Sequence, residues 1–329
     1  MKNFPRINTK KIAEVRLKKL LTILDYVFLL RPTLCYPVWI FFIAGHWGAR
    51  QAFPDSEWQV VDALLIVSAV TLLMGAVYIL NQLQDVETDR ANHKLFIIAD
   101  GIVSVRSAYT EAVILSLVSL AAGFMFHPYI GVLFVLLFII TGIFYNYPPT
   151  RWKDRPLMGM VANGMGCVLI YLIGWLAVRS QLRIPAHAWL YGVAGISVSL
   201  NTTLPDMEGD RLAGKRTFAV AYGIEATAIA ALVVEALTIG WAWYLKEWLL
   251  FWPAVLVLPL FVWAVITRKR ADVMRATKVS VVALALAVCV ICPWVLIPVF
   301  AVFFLSKFYY RKRFDFNYPT FKSNEGANG

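Results

Sequence analysis

The sequence predicts an all-α integral membrane protein, a bundle of about nine transmembrane helices. Of its 329 residues, 60% are hydrophobic and only 16% are charged, whereas a soluble domain needs about a quarter of its residues charged to cover its surface. Several apolar runs are long enough to cross about 30 Å of hydrocarbon. The 12 Trp and 14 Tyr residues suit a protein that is anchored at two membrane interfaces.

The predicted spans are separated by short polar loops. The fourth is short and the ninth is long, so eight or ten spans remain alternatives to nine. The predicted ranges are 24–48, 59–81, 105–126, 129–146, 157–179, 185–205, 222–244, 249–267 and 279–305.

The chain reads as one membrane domain, 23–306, between two polar segments. A basic cytosolic segment, 1–22, precedes it, and a polar, basic tail, 307–329, follows it. We expect the last dozen residues to be disordered, because they are mostly polar and lie at a chain terminus. We expect no cleavable signal peptide, because the first apolar run is long enough to span the membrane.

The positive charges are distributed as topology signals. The formal net charge is +11, but no zinc-finger spacing or aromatic–basic RNA motif accompanies it, which argues against a nucleic-acid partner. Lys and Arg concentrate before the first predicted span and after the even-numbered spans, as the positive-inside rule requires of cytosolic loops. We therefore expect a protein of a bacterial inner (plasma) membrane, with its N-terminus inside. Nine spans would place the basic residues Lys307 and 311–313 outside, against the rule.

A series of oxygen-bearing side chains closes the second predicted span. Asn81, Asp85 and Asp89 are spaced i, i+4 and i+8, so they would line one face of a helix that continues beyond the span. A carboxylate inside a span costs roughly 2.5–3.5 kcal/mol on insertion scales, so it normally has a partner or a function. Carboxylate and amide oxygens are the hard ligands that Mg²⁺ prefers.

A second acidic pair closes the sixth predicted span on the same, cytosolic side. Asp206 and Asp210 share a helix face, while Pro205 and Gly209 indicate a kinked or broken helix. If the two spans pack side by side, four carboxylates face one small cavity. Divalent cations would remove their mutual repulsion and recruit phosphate oxygens. The residues alone therefore predict a magnesium and diphosphate site.

Basic side chains lie close enough in sequence to complete this site. Arg151 and Lys153, in the loop after the fourth span, could bind a diphosphate directly. Each basic residue could equally be a topology determinant. The scattered histidines show no metal-ligand spacing, and Cys289 and Cys292 are interpreted as packing residues within a span. The further diphosphate candidates are Arg90, Lys94, Arg211 and Lys215.

Three motifs in this order resemble those of the UbiA superfamily of intramembrane prenyltransferases. The resemblance covers most of the chain, from Arg31 and Pro32 through the ninth predicted span. It rests on an NxxxDxxxD motif at Asn81, Asp85 and Asp89, a loop with Tyr145, Arg151 and Lys153, and a DxxxD motif with following glycine and threonine at Asp206, Asp210, Gly214 and Thr217.

The resemblance implies a helical bundle around a central cavity that opens sideways into the bilayer. Members of the family hold a polyprenyl diphosphate through Mg²⁺ and transfer its prenyl group to a lipophilic acceptor. For this chain, that implies catalytic and metal-binding roles for Asp85, Asp89, Asp206 and Asp210. It also implies Asn81 as a further metal ligand, and Asn81 and Tyr145 beside the basic residues as diphosphate-binding groups.

Several alternatives remain open at this stage. The acceptor could be an aromatic quinone precursor, a carotenoid or a glycerolipid, and Asp100, Tyr145 and Asn201 are all conceivable general bases. A transmembrane terpene cyclase would use the same diphosphate site without a second substrate. A transporter is the alternative outside enzymes, but transporter sites lie near the midplane, whereas both acidic motifs end their spans at the cytosolic surface.

Overall fold

The computed structural model describes residues 9–91, 96–178 and 184–319, and the regular elements within these ranges are helices. Long apolar stretches become helical because a helix satisfies every backbone polar group internally. In chain order the helices are α1 (Thr9–Leu29), α2 (Cys35–Ala52), α3 (Val60–Gln84), α4 (Val86–Ala91), α5 (Phe96–Ala99), α6 (Val105–Phe126), α7 (Pro128–Leu137), α8 (Met158–Leu176), α9 (Ala186–Thr202), α10 (Met207–Leu212), α11 (Phe218–Leu245), α12 (Trp248–Thr267), α13 (Arg270–Ile291) and α14 (Leu296–Phe314).

The predicted fold class is confirmed. Within the described residues, 8 helical segments are long and apolar enough to cross a membrane, and the shorter apolar helix Pro128–Phe144 adds one more. The second half of that shorter helix, Phe138–Phe144, is wound as a wider π-helix. The prediction of about nine spans is therefore approximately right in number, although two of the predicted ranges differ from the observed helices.

The first and ninth predicted spans are each interrupted. The range 24–48 contains the end of α1 at Leu29 and the start of α2 at Cys35, and the range 279–305 contains the end of α13 and the start of α14. Pro32 and Pro293 each stand at the first position of a short 3₁₀ turn between the two helices. A proline has no backbone N–H to donate, so it starts a new helical segment more readily than it continues an old one.

The second interruption changes the position of the basic tail. Within α14, the Tyr309 hydroxyl donates to Asp25 Oδ1 at 2.7 Å, and Arg313 donates to Asp25 Oδ2 at 3.0 Å. Helix α1 in turn contacts the end of α3, where Gln82 Nε2 donates to the Leu29 carbonyl at 2.8 Å. The basic end of α14 therefore lies at the same end of the bundle as Asp85. The expected conflict with the positive-inside rule disappears because the predicted ninth span is two helices.

Two glycines bring α2 and α8 into backbone contact. A Cβ atom at Gly45 would lie 1.9 Å from the Tyr171 carbonyl oxygen, and one at Gly174 would lie 2.0 Å from that of Phe42. Small residues permit such close helix packing in membranes, where the lipid gives helices little hydrophobic reason to associate. These two helices form one wall of a central cavity of about 200 Å³.

Candidate active site

Three segments that are distant in sequence converge at one end of the bundle. They are the end of α3 with Asp85, the loop between α7 and α8 with Lys153, and the turn between α10 and α11 with Lys215. The backbone N–H of Arg216 also donates to the carbonyl of Asp154 at 3.1 Å, which joins the second and third segments. Both acidic motifs therefore share one site with the basic loop.

Asp85 is the centre of this cluster. Its Oδ2 lies 2.7 Å from Lys153 Nζ, and its Oδ1 lies 3.0 Å from Lys215 Nζ. Asp85 is 9% exposed and Lys153 is 8% exposed, so both charges are largely removed from water. Buried charges persist only when they are paired in this way. The first motif is thus charge-balanced by cations from two other segments.

Lys215 links the first acidic motif to the second. Its Nζ lies 3.0 Å from Asp85 and 3.6 Å from Asp210 Oδ1. A turn at Gly214, which has a positive φ of 72°, brings it there. The Lys215 N–H donates to the Asp210 carbonyl at 2.9 Å and the Gly214 N–H donates to that of Arg211 at 3.1 Å, the pattern of a Schellman helix end that favours glycine.

The two carboxyl groups differ in their electrostatic state. Burial opposes the charge on Asp85, but Lys153 and Lys215 outweigh it and hold the pKa of Asp85 below its ordinary value. Burial raises the pKa of Asp210, because its longer contact with Lys215 compensates only in part. The pKa of Lys215 is raised, because the attraction of Asp85 and Asp210 exceeds the effect of its own burial.

The helix predicted to run through the first motif is broken at Asp85. Helix α3 ends at Gln84 and α4 begins at Val86, with Asp85 at φ −111° and ψ 11°. The prediction of one continuous helix was therefore wrong. Aspartate is among the residues most favoured at a helix start, and the Asp85 carbonyl accepts the first helical bond from the Asp89 N–H at 2.7 Å.

The remaining predicted oxygen ligands are Asn81, Asp89 and Asp206. Asn81 is half-buried, and its amide donates to Asn146 Oδ1 at 2.8 Å and to Asp85 Oδ2 at 3.3 Å. Asp89 and Asp206 are both half-buried. Asp206 ends a short 3₁₀ turn, which agrees with the broken helix expected beside Pro205.

The predicted arginines have other contacts. Arg90 donates twice to the Ala99 carbonyl, at 3.2 and 2.8 Å. Arg151 pairs with Asp154 at 2.7 Å, and Arg211 is exposed at the end of α10. Lys94 lies outside the described residues. Of the predicted cations within the described ranges, the two lysines are those that contact a motif carboxylate.

One residue at the site, Asn146, belongs to none of the predicted motifs. Asn146 is fully buried and donates to the Thr141 and Gly142 carbonyls while it accepts from Asn81. Its polar character inside an apolar run was the signal in the sequence that could have indicated it.

The candidate general bases differ in burial. Asn201 is fully buried, and neither of its amide atoms has a hydrogen-bond partner among the described residues. Asp100, another candidate base, is exposed.

The donor chemistry of the site fits a hard divalent cation. Carboxylate oxygens of Asp85 and Asp210 lie on two sides of one ammonium group, so the space between them already favours positive charge. Within the described ranges, no three acidic, histidine or cysteine side chains stand close enough to hold one ion between them. Mg²⁺ bound by one or two carboxylates usually completes its coordination with water and substrate phosphate oxygens.

A chain of hydrogen-bonded side chains links the site to the central cavity. Tyr145 follows the π-helix and is hydrogen-bonded to Asn163. It also interacts electrostatically with Asp85 and Lys215. The Asn163 amide donates to Ser199 Oγ at 2.8 Å, and both Asn163 and Ser199 line the cavity. A ligand with a charged head and a long apolar tail could therefore occupy both compartments.

Comparison with known proteins identifies the family. The sequence model of the UbiA prenyltransferase family matches residues 38–279. The chain belongs to this family. The match includes α2 to α12 and all three motif segments, so the resemblance inferred from the motifs is confirmed. Helices α1 and α14 lie outside the matched range.

Curated relatives within the UbiA group include enzymes of different specificity. The chain is 28% identical over 178 residues to homogentisate phytyltransferase 1 of Arabidopsis thaliana, covering 48% of this chain and 44% of that protein. It is 29% identical over 186 residues to digeranylgeranylglyceryl phosphate synthase of Methanoregula boonei, covering 55% and 64%. The chain spans about half the length of the curated relatives that it matches.

Solved structures share the fold. A UbiA homologue from Archaeoglobus fulgidus, solved with GPP and Mg²⁺, superposes with a TM-score of 0.59 and 21% identity, covering 80% of this chain and 99% of that one. A UbiA homologue from Aeropyrum pernix K1 superposes with a TM-score of 0.62 and 17% identity, covering 78% and 95%. At such identities the likeness concerns the arrangement of helices.

Proposed function

We propose that this protein transfers a prenyl group from a polyprenyl diphosphate to a lipophilic acceptor, in a Mg²⁺-dependent reaction within the membrane. The observation that carries the proposal is the convergence of Asp85 and Asp210 with Lys153 and Lys215 at one end of the bundle, linked through Asn163 to an apolar cavity. Such a site can bind a charged diphosphate and an isoprenoid chain together. The solved neighbour that holds GPP and Mg²⁺ supports the same assignment.

The carboxylates are assigned to the metal and the cations to the diphosphate. When bound, Mg²⁺ neutralises charge on the diphosphate and so assists its departure from the prenyl carbon. Lys153, which contacts Asp85, and Lys215, which contacts both Asp85 and Asp210, donate hydrogen bonds to diphosphate oxygens and stabilise the charge that develops on them. The proposed metal ligands are Asn81, Asp85, Asp89, Asp206 and Asp210, and the further diphosphate contacts are Tyr145, Arg151, Arg211 and, more peripherally, Arg90.

The cavity is assigned to the prenyl chain and the reacting carbon. Its lining includes Ile40, Phe41, Ala254 and Val257, so it keeps water away from an electron-deficient carbon. An aromatic face such as that of Phe41 attracts positive charge. Burial of each methylene of the chain contributes about 0.8 kcal/mol. Both substrates are assigned to the membrane domain, 23–306. The acceptor enters from the bilayer of a bacterial plasma membrane, and the diphosphate site faces the cytosol.

One experiment tests the reaction class. Purified protein in lipid nanodiscs is given geranylgeranyl diphosphate and Mg²⁺, with and without a crude lipid extract, and diphosphate and products are followed by mass spectrometry. We expect release of diphosphate that depends on the extract, with a prenyl mass gain on one component. The same reaction with EDTA in place of Mg²⁺ serves as the control and should release none.

The other outcomes identify the alternatives. Release without any acceptor, with a hydrocarbon or alcohol as product, would replace transfer by cyclisation. If prenyl diphosphates of several chain lengths all remain intact with every extract, the enzymatic proposal is overturned and transport becomes the hypothesis to test. An increase in the mass of one lipid would also name the acceptor class among aromatic, carotenoid and glycerolipid molecules.

A further inference from the structure

A carboxyl group stands on the wall of the central cavity, away from the two acidic motifs. Glu235 lies midway along α11 and is only 6% exposed. Its neighbours on the wall include Ile40, Leu250, Ala254 and Val257. A carboxyl group in such a place normally has a partner or a function, because ionisable groups are expensive within a membrane.

The protein supplies this carboxyl group with a hydroxyl partner. Ser197 of α9, which is fully buried, donates from Oγ to Glu235 Oε2 at 3.0 Å. The same hydroxyl lies 3.4 Å from the Ala231 carbonyl. A carboxyl group has two oxygens with about four acceptor positions, and Ser197 is its hydrogen-bonding partner among the described residues. Glu235 therefore keeps bonding capacity directed at the cavity.

Two other hydroxyl groups on the wall, those of Thr238 and Ser280, are committed to their own helices. Thr238 donates to the Val234 carbonyl at 2.9 Å, and Ser280 donates to the Ala276 carbonyl at 2.8 Å. Each hydroxyl has a single proton to donate. Neither therefore donates to Glu235, and neither would donate to a ligand without giving up an existing bond. Glu235 is thus the acidic group of this cavity with capacity left for a ligand.

The chemistry of Glu235 restricts what it could bind. A carboxylate repels a diphosphate, and a pure hydrocarbon chain offers it no hydrogen bond. A hydroxyl group on an otherwise apolar molecule satisfies both the carboxyl group and the lining. Leaving such a buried carboxyl group without its ligand partner costs free energy, so the cavity should prefer molecules that carry a hydroxyl group.

We propose that Glu235, positioned by Ser197, binds and orients a hydroxyl group of the acceptor inside the cavity. This inference rests on the proposed prenyl transfer, since it assigns the second substrate of that reaction. The protein then has two recognition elements, the charged cluster at one end of the bundle and a single carboxyl group in the cavity.

The test uses two probes that differ only in the hydroxyl group, 4-octylphenol and its methyl ether, 4-octylanisole. Their binding to the full chain in nanodiscs is measured by intrinsic tryptophan fluorescence, and the phenol-to-ether affinity ratio is compared among variants. We expect a ratio of about ten for the unaltered chain, the value of one hydrogen bond, and a ratio near one for Glu235→Leu. Ser197→Ala should lower the ratio to an intermediate value.

Two controls keep this inference separate from the proposed function. Glu225→Leu makes the same change on the same helix at a site paired with Arg268 on the surface, and it should retain the full ratio. Mg²⁺-dependent binding of geranylgeranyl diphosphate to the unaltered chain is measured separately and reports on the charged site alone. An equal ratio in the unaltered chain and in Glu235→Leu would overturn the assignment of Glu235. Absence of diphosphate binding in the unaltered chain would instead overturn the prenyl-transfer proposal.

Discussion

The two acidic motifs look alike in sequence but differ in their surroundings. Asp85 of the first motif contacts two lysines, at 2.7 and 3.0 Å, and its pKa is lowered. Asp210 of the second motif shares one of those lysines at 3.6 Å, and its pKa is raised by burial. The first motif therefore stays ionised over a wider pH range. An identical DxxxD spacing does not imply an identical electrostatic role.

The difference arises from residues that are remote in sequence. Lys153 and Lys215 reach Asp85 from another loop and another turn, so only the folded arrangement of helices decides which carboxylate is compensated. We therefore expect Asp85 of the first motif to be ionised with or without a ligand. Asp210 of the second motif should become fully ionised only when a bound cation or a higher pH favours its charged form. Each of the following variants tests one part of this asymmetry.

The largest effect is expected from the first motif. Asp85→Asn removes the charge that Lys153 and Lys215 both contact, and it should lower kcat/KM for geranylgeranyl diphosphate by roughly 10²–10³-fold, as loss of one preorganised electrostatic group does. Glu87→Gln is the matched control, because Glu87 is exposed in the same segment. Near-normal turnover in Asp85→Asn would remove this motif from the site.

A smaller effect is expected from the buried lysine. Lys153→Met deletes one cation while Lys215 still compensates Asp85, so we expect a rise of about tenfold in KM for the diphosphate substrate, the equivalent of about 1.4 kcal/mol. Exposed Arg155 of the same loop donates to the Pro149 carbonyl, and Arg155→Met should leave KM unchanged. An unaltered KM in Lys153→Met would transfer the role to Arg151 or Arg211.

The pH dependence tests the asymmetry directly. Activity requires ionised carboxylates, so it should fall as pH falls through the raised pKa of Asp210. Lys215→Met removes the ammonium that favours ionisation of both Asp85 and Asp210, so the acid limb of log kcat/KM should move to higher pH. Arg216→Met, at the exposed neighbouring position, should leave the limb in place. If the acid limb stays at the same pH in Lys215→Met, the proposed effect of Lys215 on the ionisation of Asp85 and Asp210 is wrong.

The smallest effect is expected at the turn that positions Lys215. Gly214→Ala forces a side chain into the left-handed region at φ 72° and should cost about 1 kcal/mol of stability. Thermal unfolding in detergent measures this loss. Gly240→Ala, at a helical position where a Cβ atom meets open space, should not lower the midpoint. An unchanged midpoint in Gly214→Ala would show that the turn adapts without strain.

The sequence predicted the fold class well because hydrophobic length alone defines membrane helices. It also predicted the convergence of the two acidic motifs and the basic loop, since all three close their spans at one end. It did not predict the break at Asp85, the interruption at Pro293 or the placement of the basic tail. Each depends on whether the chain gains more from continuing a helix or from contacts with distant segments. The periodicity of the sequence does not indicate such long-range contacts.

Individual roles were less predictable than the location of the site. Lys153 and Arg151 are equivalent in sequence, but the structure buries the lysine against Asp85 and pairs the arginine with Asp154. Glu235 is a lone acidic residue in an apolar run, and no motif in the sequence assigns it a role. Its interest depends on the cavity, and the cavity depends on six helices whose packing the sequence alone does not specify.

The most direct test of the central claim, that both motifs form one metal-dependent diphosphate site, is a binding titration. Geranylgeranyl diphosphate is titrated into the chain in nanodiscs over a series of Mg²⁺ concentrations, with the unaltered chain, Asp85→Asn and Asp210→Asn measured in parallel. We expect binding that requires Mg²⁺ and is lost in both variants, more completely in Asp85→Asn. Binding that is independent of Mg²⁺, or that survives in both variants, would contradict it.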